Sequence, residues 1–187
     1  MCMDISLDYI SGFFDGEGCV GIWKTTRKYN GVRYHNFYLR TQLTQTANEH
    51  SVAMFEVLGD RFGGAVTKSV STASRITLNW QLHGEHAVKF LEQIYPHLII
   101  KKNQVAFALA WKATRPPLTR DDKGRIARGA PRRLAFDRDV SKLVKLLKKN
   151  SLESCIKNKK LKGVASELDA IFKEKYKNLR TGNQIGD

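Results

Sequence analysis

Apolar positions change their spacing several times along the chain, and each change marks an element. Tyr9, Ile10, Phe13 and Phe14 recur at helical spacing behind Ser6, a residue able to cap a helix N-terminus, and the pattern stops at Gly16 and Gly18. Strand-like stretches from Val20 to Lys28 and from Val32 to Thr44 flank Tyr29-Asn30-Gly31, and Asn-Gly suits the two positive-φ positions of a tight hairpin turn. Helical spacing returns at Val52, Phe55 and Leu58 within Asn48 to Phe62, closed by Gly63-Gly64. The alternation Arg75-Ile76-Thr77-Leu78-Asn79-Trp80-Gln81-Leu82 predicts a half-buried strand, paired with a weaker one from Ala65 to Val70. Helices are predicted over Glu85 to Tyr95 and Lys101 to Thr114. The order helix, hairpin, helix, hairpin, helix predicts an α+β core, with helices on one face of a four-stranded antiparallel sheet.

Arg115-Pro116-Pro117 ends that last helix, because proline lacks the amide and blocks the helical conformation of the residue before it. From there to Arg133 the chain is rich in Arg, Gly and Pro with little apolar periodicity. A core over 1–114 and a basic linker over 115–133 are therefore predicted. In the extension, 134–187, Phe136, Val140, Leu143 and Leu147, and then Leu168, Ile171 and Phe172, predict two amphipathic helices. No strong internal repeat is visible.

Composition narrows the partners. With 187 residues, 42% of them hydrophobic, the chain can bury one sizeable core with an appendage. Its 32 Lys and Arg against 18 Asp and Glu leave a net charge of +14, which calls for a polyanionic partner, nucleic acid first. The excess is uneven: residues 1–114 hold 12 basic and 9 acidic side chains, residues 115–187 hold 20 and 9. No apolar run reaches the roughly 18 residues of a membrane span, and the N-terminus lacks a signal peptide's basic and apolar stretches, so an intracellular protein is expected. Cys2, Cys19 and Cys155 form no close pair, which argues against a disulfide framework or a zinc ribbon. His83-Gly84-Glu85-His86 lacks the spacing of a zinc protease helix and is expected to be a polar helix start.

Gly16, Gly18 and Gly21 spell G-x-G-x-x-G, but a dinucleotide fingerprint must follow a strand and open a helix. Here a helix runs into the glycines and a strand leaves them. Gly12 and Gly16, four apart on one helix face, instead leave room for a second helix to approach. Asp15 and Glu17 fall at the negative end of the helix dipole, which does not favour a carboxylate. A divalent cation would favour them, since carboxylate and carbonyl oxygens suit Mg²⁺; on spacing alone, solvated loop acids are an equal reading.

Ile10-Ser11-Gly12-Phe13-Phe14-Asp15-Gly16-Glu17-Gly18 resembles the LAGLIDADG motif of homing endonucleases, and the likeness extends over roughly residues 6–114. It implies an αββαββα core whose four-stranded sheet forms a DNA-binding saddle. A single copy of the motif resembles the homodimeric class, in which paired motif helices, here with Gly12, Phe13 and Gly16, bring two active sites together. The family is intron-encoded and cleaves both strands of a long pseudo-palindromic DNA site with Mg²⁺; Mn²⁺ or Ca²⁺ can substitute for binding. Glu17 matches the family's metal ligand, with Glu where Asp is commoner, and Gly16 would add its carbonyl. Leu43-Thr44-Gln45-Thr46 resembles the segment whose Gln orders water near the metals. Leu98-Ile99-Ile100-Lys101-Lys102-Asn103-Gln104 resembles the one that sets a Lys beside the scissile phosphate. Gln45 and Lys101 are the implied catalytic partners of Glu17, with Lys102 the alternative to Lys101. Glu49 stands where the family often has a basic residue. The resemblance also leaves open an RNA maturase acting on intron RNA, or a cleavage-inactive DNA-binding protein, in a chloroplast, a mitochondrion or bacterial cytoplasm.

The predicted sheet adds its own argument. Cys19 to Gln45 and Gly64 to Leu82 hold seven basic residues and no acid. A solvated surface mixes signs, so phosphates and bases are expected to lie over it. Strand parity and charge select Trp23, Thr25, Arg27, Lys28, Arg33, Asn36, Tyr38, Arg40, Gln42, Lys68, Arg75, Thr77, Asn79 and Gln81 as the DNA-contacting set, with Gly21 and Lys24 in the same strands. Arg, Asn, Gln and Thr are the types that read base edges in the major groove.

Overall fold

A computed structural model of the chain describes residues 5–70, 75–115 and 134–180, and within them not the side chains of Tyr29, Tyr34 and Arg180. Apart from Arg115, the predicted linker lies outside the described residues, as do Cys2 and the residues after 180 of the predicted extension. The first helix, α1 (Leu7–Glu17), is capped by Ser6, whose hydroxyl accepts from the Tyr9 amide. It runs through Gly16 to Glu17 rather than stopping at the first glycine. Gly18 then turns directly into extended backbone (φ −72°, ψ 159°), so strand β1 (Gly18–Tyr29) begins with no loop between. Asn30 (φ 47°) and Gly31 (φ 77°) make the two-residue turn that returns the chain as β2 (Val32–Thr46). Helix α2 (Glu49–Phe62) opens with a reciprocal cap between Asn48 and Ser51. It closes at Gly63-Gly64, and Gly64 (φ 98°) has no room for a side chain: a Cβ would sit 2.6 Å from the Gln81 carbonyl.

Strands β3 (Ala65–Val70) and β4 (Ile76–His83) complete a four-stranded antiparallel sheet of order β1-β2-β4-β3. Helix α3 (Gly84–Ile94), a 3₁₀ turn at Tyr95–His97 and α4 (Lys102–Ala113) follow. The αββαββα order is as expected. Alternate side chains Val20, Ile22, Leu39, Leu43, Leu78, Trp80 and Leu82 face the helices and are buried, each contributing roughly 1.5–3 kcal/mol through burial. Phe90 of α3 is the centre of the aromatic packing, edge-on to Phe14 (5.4 Å), Trp80 (5.1 Å) and Phe62 (5.0 Å).

The extension supplies α5 (Leu134–Leu146), a short α6 (Leu152–Cys155), α7 (Lys159–Lys175) and a last turn, α8 (Lys177–Arg180). Its apolar faces join the same buried cluster as the sheet and α1 to α4. Along the edge strand β1, Ser141 donates to the Ile22 carbonyl (2.7 Å), and the nearly inaccessible Asp137 accepts from Trp111 Nε1 (2.9 Å) and pairs with Arg115. α7 lies on α4 and brings Phe172 against Tyr95. Among the described residues no helix is long and apolar enough to cross a membrane.

Candidate active site

The inner side of α1 is fully engaged. Ile10 and Phe14 are buried, and Ser11 donates to Leu7 O (2.6 Å) and Ile94 O (3.4 Å). Asp15, only 7% exposed, accepts the backbone amides of Ile99 (2.6 Å), Ile100 (3.0 Å) and Lys101 (2.8 Å). Ile99 and Ile100 precede α4 and Lys101 is its N-cap, so the carboxylate satisfies the amides of the segment that leads into the helix. A cation was one expected reason for a carboxylate at this end of α1; for Asp15 the reason is these three amides. Asp15 therefore fastens the start of α4 to the end of α1.

That fastening places Lys101. Its Nζ donates to the Asp15 carbonyl and lies 3.5 Å from the Gly16 carbonyl, at the negative end of α1. Burial pushes its pKa down from the ordinary lysine value, and the Asp15 charge works against that shift. Lys102 is exposed and directs its ammonium over the Tyr95 ring, 5.4 Å away, so the two lysines are not equivalent.

Glu17 ends α1 on the outer side, exposed, and its carboxylate has no hydrogen bond or ion pair among the described residues. Gly18 pairs with Leu43, so Gln45 stands two residues further along β2, half-buried and on the helix-facing parity. Glu49 is exposed in the first turn of α2. Among the described residues no three His, Cys, Asp or Glu side chains come together to hold a metal. The Glu17 carboxylate and Gly16 carbonyl are the hard oxygen donors that Mg²⁺ or Ca²⁺ takes; they suit such an ion in kind and fall short in number.

Gly12 and Gly16 also lie on the outer side, exposed, and a Cβ built at either meets nothing within 4 Å. Tyr9 on the same side is 62% exposed. Phe13 differs from them: it is half-buried and packs on the core.

The register sorts the predicted DNA-contacting set. Trp23, Thr25 and Arg27 on β1, Asn36, Tyr38, Arg40 and Gln42 on β2, and Thr77, Asn79 and Gln81 on β4 share the face away from the helices. Lys28 and Arg33 pair with each other beside the hairpin turn, and Lys68 pairs with Leu78; these three lie on the opposite parity. These three were selected by charge rather than by parity, and all three are exposed. Arg75 precedes β4 and is exposed.

The open face is internally braced. The Trp23 indole lies across Gly21, and the Arg40 guanidinium stands over it at 5.2 Å while donating to Gln42 Oε1. Thr44 donates to Asn79 Oδ1 (3.3 Å), and Tyr38 tilts against His83 with ring centroids 5.6 Å apart. His83 is the N-cap residue at the start of α3, as expected, and as the last residue of β4 it also lies on this face opposite Arg40; burial, and next the Arg40 charge, lower its pKa. Its parity with Gln81 was the overlooked signal. Cys19 has the same facing as Gln42, its register partner, and its Sγ is 2.5 Å from Lys148 Nζ, a meeting of core and extension without any trace in the sequence pattern.

The sequence profile of the LAGLIDADG endonuclease family matches residues 10–113, more than half of the chain. No curated protein matches. Among solved structures, the homing endonuclease I-CvuI in complex with the I-CreI target, in 2 mM Mg with the DNA not cleaved, superposes with a TM-score of 0.54. It is 17% identical, over 90% of this chain and 92% of that one. I-CvuI with its own target in 2 mM Ca gives 0.55 at 18% identity, over 83% and 93%. The homing endonuclease I-TnaI gives 0.42 at 16% identity, over 92% and 99%. At these identities the I-CvuI superpositions establish the fold.

Proposed function

Since the chain belongs to the LAGLIDADG endonuclease family, we propose that it is a homodimeric, divalent-metal-dependent endonuclease that hydrolyses both strands of a long, pseudo-palindromic DNA site. The observation that carries this reading is Glu17: an exposed, unpartnered carboxylate at the negative end of α1, with the Lys101 ammonium held on the adjoining carbonyls. No hydrogen bond or ion pair among the described residues holds the carboxylate there, and the Lys101 charge acts on it only through space. A metal held by Glu17 and the Gly16 carbonyl would acidify a bound water and offset charge on the attacking and leaving oxygens. Lys101 draws a phosphate to the same place and offsets its negative charge. Gln45, with both donor and acceptor, orients the water by hydrogen bonds. Asp15 holds Lys101 in position through the backbone.

One chain supplies one such carboxylate. The outer side of α1, cleared by Gly12 and Gly16, lets the α1 helices of two copies meet and sets a second Glu17 beside the first. The braced sheet face supplies groove contacts, with Arg40 for guanine and Asn79 or Gln81 for adenine. The test is a randomised duplex library incubated with the protein, with and without Mg²⁺, followed by sequencing of the ends. Recurrent ends that need Mg²⁺ are expected; a library left intact at saturating protein and Mg²⁺ refutes the reading.

A further inference from the structure

We propose that Lys148, in the turn after α5, belongs to the active site and binds a DNA phosphate at or beside the cut. The extension thus contributes a substrate-binding cation to the core it packs on. This rests on the endonuclease reading above.

Lys148 is exposed, and its Nζ reaches the Cys19 thiol at 2.5 Å. Cys19 follows Gly18 directly, two residues after Glu17, and has the facing of the open side of the sheet. The Lys148 charge is also near enough to Lys101 to disfavour that lysine's ionised form, and Glu17 acts on Lys101 in the opposite sense. Two lysines, one from each part of the chain, therefore converge where α1 becomes β1. No acid pairs with Lys148 among the described residues, and a thiol is a weak partner for an ammonium. The two ammonium groups repel each other, Asp15 and Glu17 counter part of the charge at Lys101, and a phosphate set between the two cations turns the repulsion into attraction.

A purely structural role does not account for this placement. α5 is already docked on β1 by Val140, Leu143 and Val144, by the Ser141 bond to Ile22 and by Asp137 on Trp111. The Lys148 head lies beyond those contacts, at the surface.

The test uses the full chain and the duplex recovered from the library. Lys148→Met keeps the aliphatic stem and removes the charge; it should slow single-turnover cleavage about tenfold, the scale of one hydrogen bond to a charged group. Lys148→Arg should restore most of the rate. Duplexes with a single neutral methylphosphonate at or beside the cut identify the contacted phosphate: at one position, removing its charge should cost wild type and leave Lys148→Met unaffected. An independent readout is acetylation of Lys148 followed by mass spectrometry, with Ca²⁺ and no cleavage, where bound duplex should protect it. The proposal is overturned if Lys148 acetylates equally with and without bound DNA, if no methylphosphonate couples to it, or if Lys149→Met loses as much rate as Lys148→Met. A wild type that binds no duplex at all would sink the endonuclease reading along with it, whereas a wild type that cuts while Lys148 stays reactive sinks this proposal alone.

Discussion

The outer side of α1 and the open face of the sheet are both exposed, both polar in part, and built in opposite ways. On α1, Tyr9, Gly12, Gly16 and Glu17 touch little or nothing. On the sheet, Trp23, Arg40 and Gln42 hold one another, as do Thr44 and Asn79. Groups that are already paired lose little on binding because their geometry is set beforehand, and substituting them weakens binding by degrees. Groups with no partner depend on one from outside, so their substitutions act in an all-or-none manner. The sharpest way to break the contrast is at Glu17. Glu17→Gln keeps the shape and removes the charge, and should cut single-turnover cleavage on the order of a hundred- to a thousandfold, with DNA affinity in Ca²⁺ and melting temperature little changed. A rate within severalfold of wild type at saturating Mg²⁺ would remove Glu17 from the chemistry.

Gly12→Leu comes next, because it separates folding from assembly. Leucine raises helix propensity by about 1 kcal/mol over glycine, and among the described residues nothing apart from its chain neighbours and the helix's own nearby backbone stands within 4 Å of a Cβ there. The monomer should therefore fold at least as well. Sedimentation should show it alone, without cleavage. A folded, dimeric Gly12→Leu would move the interface off α1.

The inner side of α1 gives the counterpart. Asp15→Asn turns an amide donor towards backbone N–H groups that need an acceptor, which should cost roughly 3 kcal/mol and lower the melting temperature by roughly 6–12 °C for a chain of this size. Because Asp15 holds the Lys101 amide, cleavage should fall as well. A variant as stable as wild type would mean that the three amides find other acceptors.

These residues also show where the sequence was legible. Alternation along β4, Asn30-Gly31 and the glycines after α2 carried the fold, because each reports a local backbone requirement. Glu17 and Lys101 were singled out by the family resemblance, and the structure puts both at the C-terminal end of α1. Asp15 was not, because its partners are backbone amides some eighty-five positions away, which have no letter in the sequence. Lys148 and Cys19 were hidden for the same reason, since packing of the extension on β1 brings them together. Charge singled out Lys28, Arg33 and Lys68 without saying which face they take, and the register puts them opposite the rest of the set, at the hairpin end and on the edge strand β3.

On the sheet face the effects should be graded. Arg40→Ala removes the side chain proposed to read guanine and the cover of Trp23. It should relax preference at one position of each half-site by about 1–3 kcal/mol without abolishing cleavage. An unaltered cleavage-site profile would take Arg40 out of base recognition.

The smallest effect expected is at Gly21, and it tests whether the bracing matters apart from the groups that touch DNA. A Cβ at Gly21 would lie 2.6 Å from the Trp23 ring, which is neither backbone nor deeply buried and so can swing away. Gly21→Ala should then fold normally, since alanine suits a strand better than glycine. What it loses is the seat under Arg40. Displacing the indole forfeits a cation–π contact of about 0.5–1 kcal/mol at an exposed site, and Arg40 must be ordered at the moment of binding. Affinity for the cognate duplex should fall severalfold with the same bases preferred, and tryptophan emission should shift to the red as Trp23 enters water. If emission shifts while affinity holds, Arg40 is positioned by Gln42 alone and the indole is only packing. If neither changes, the sheet face is no more organised beforehand than the outer side of α1, and the distinction between the two regions fails at that point.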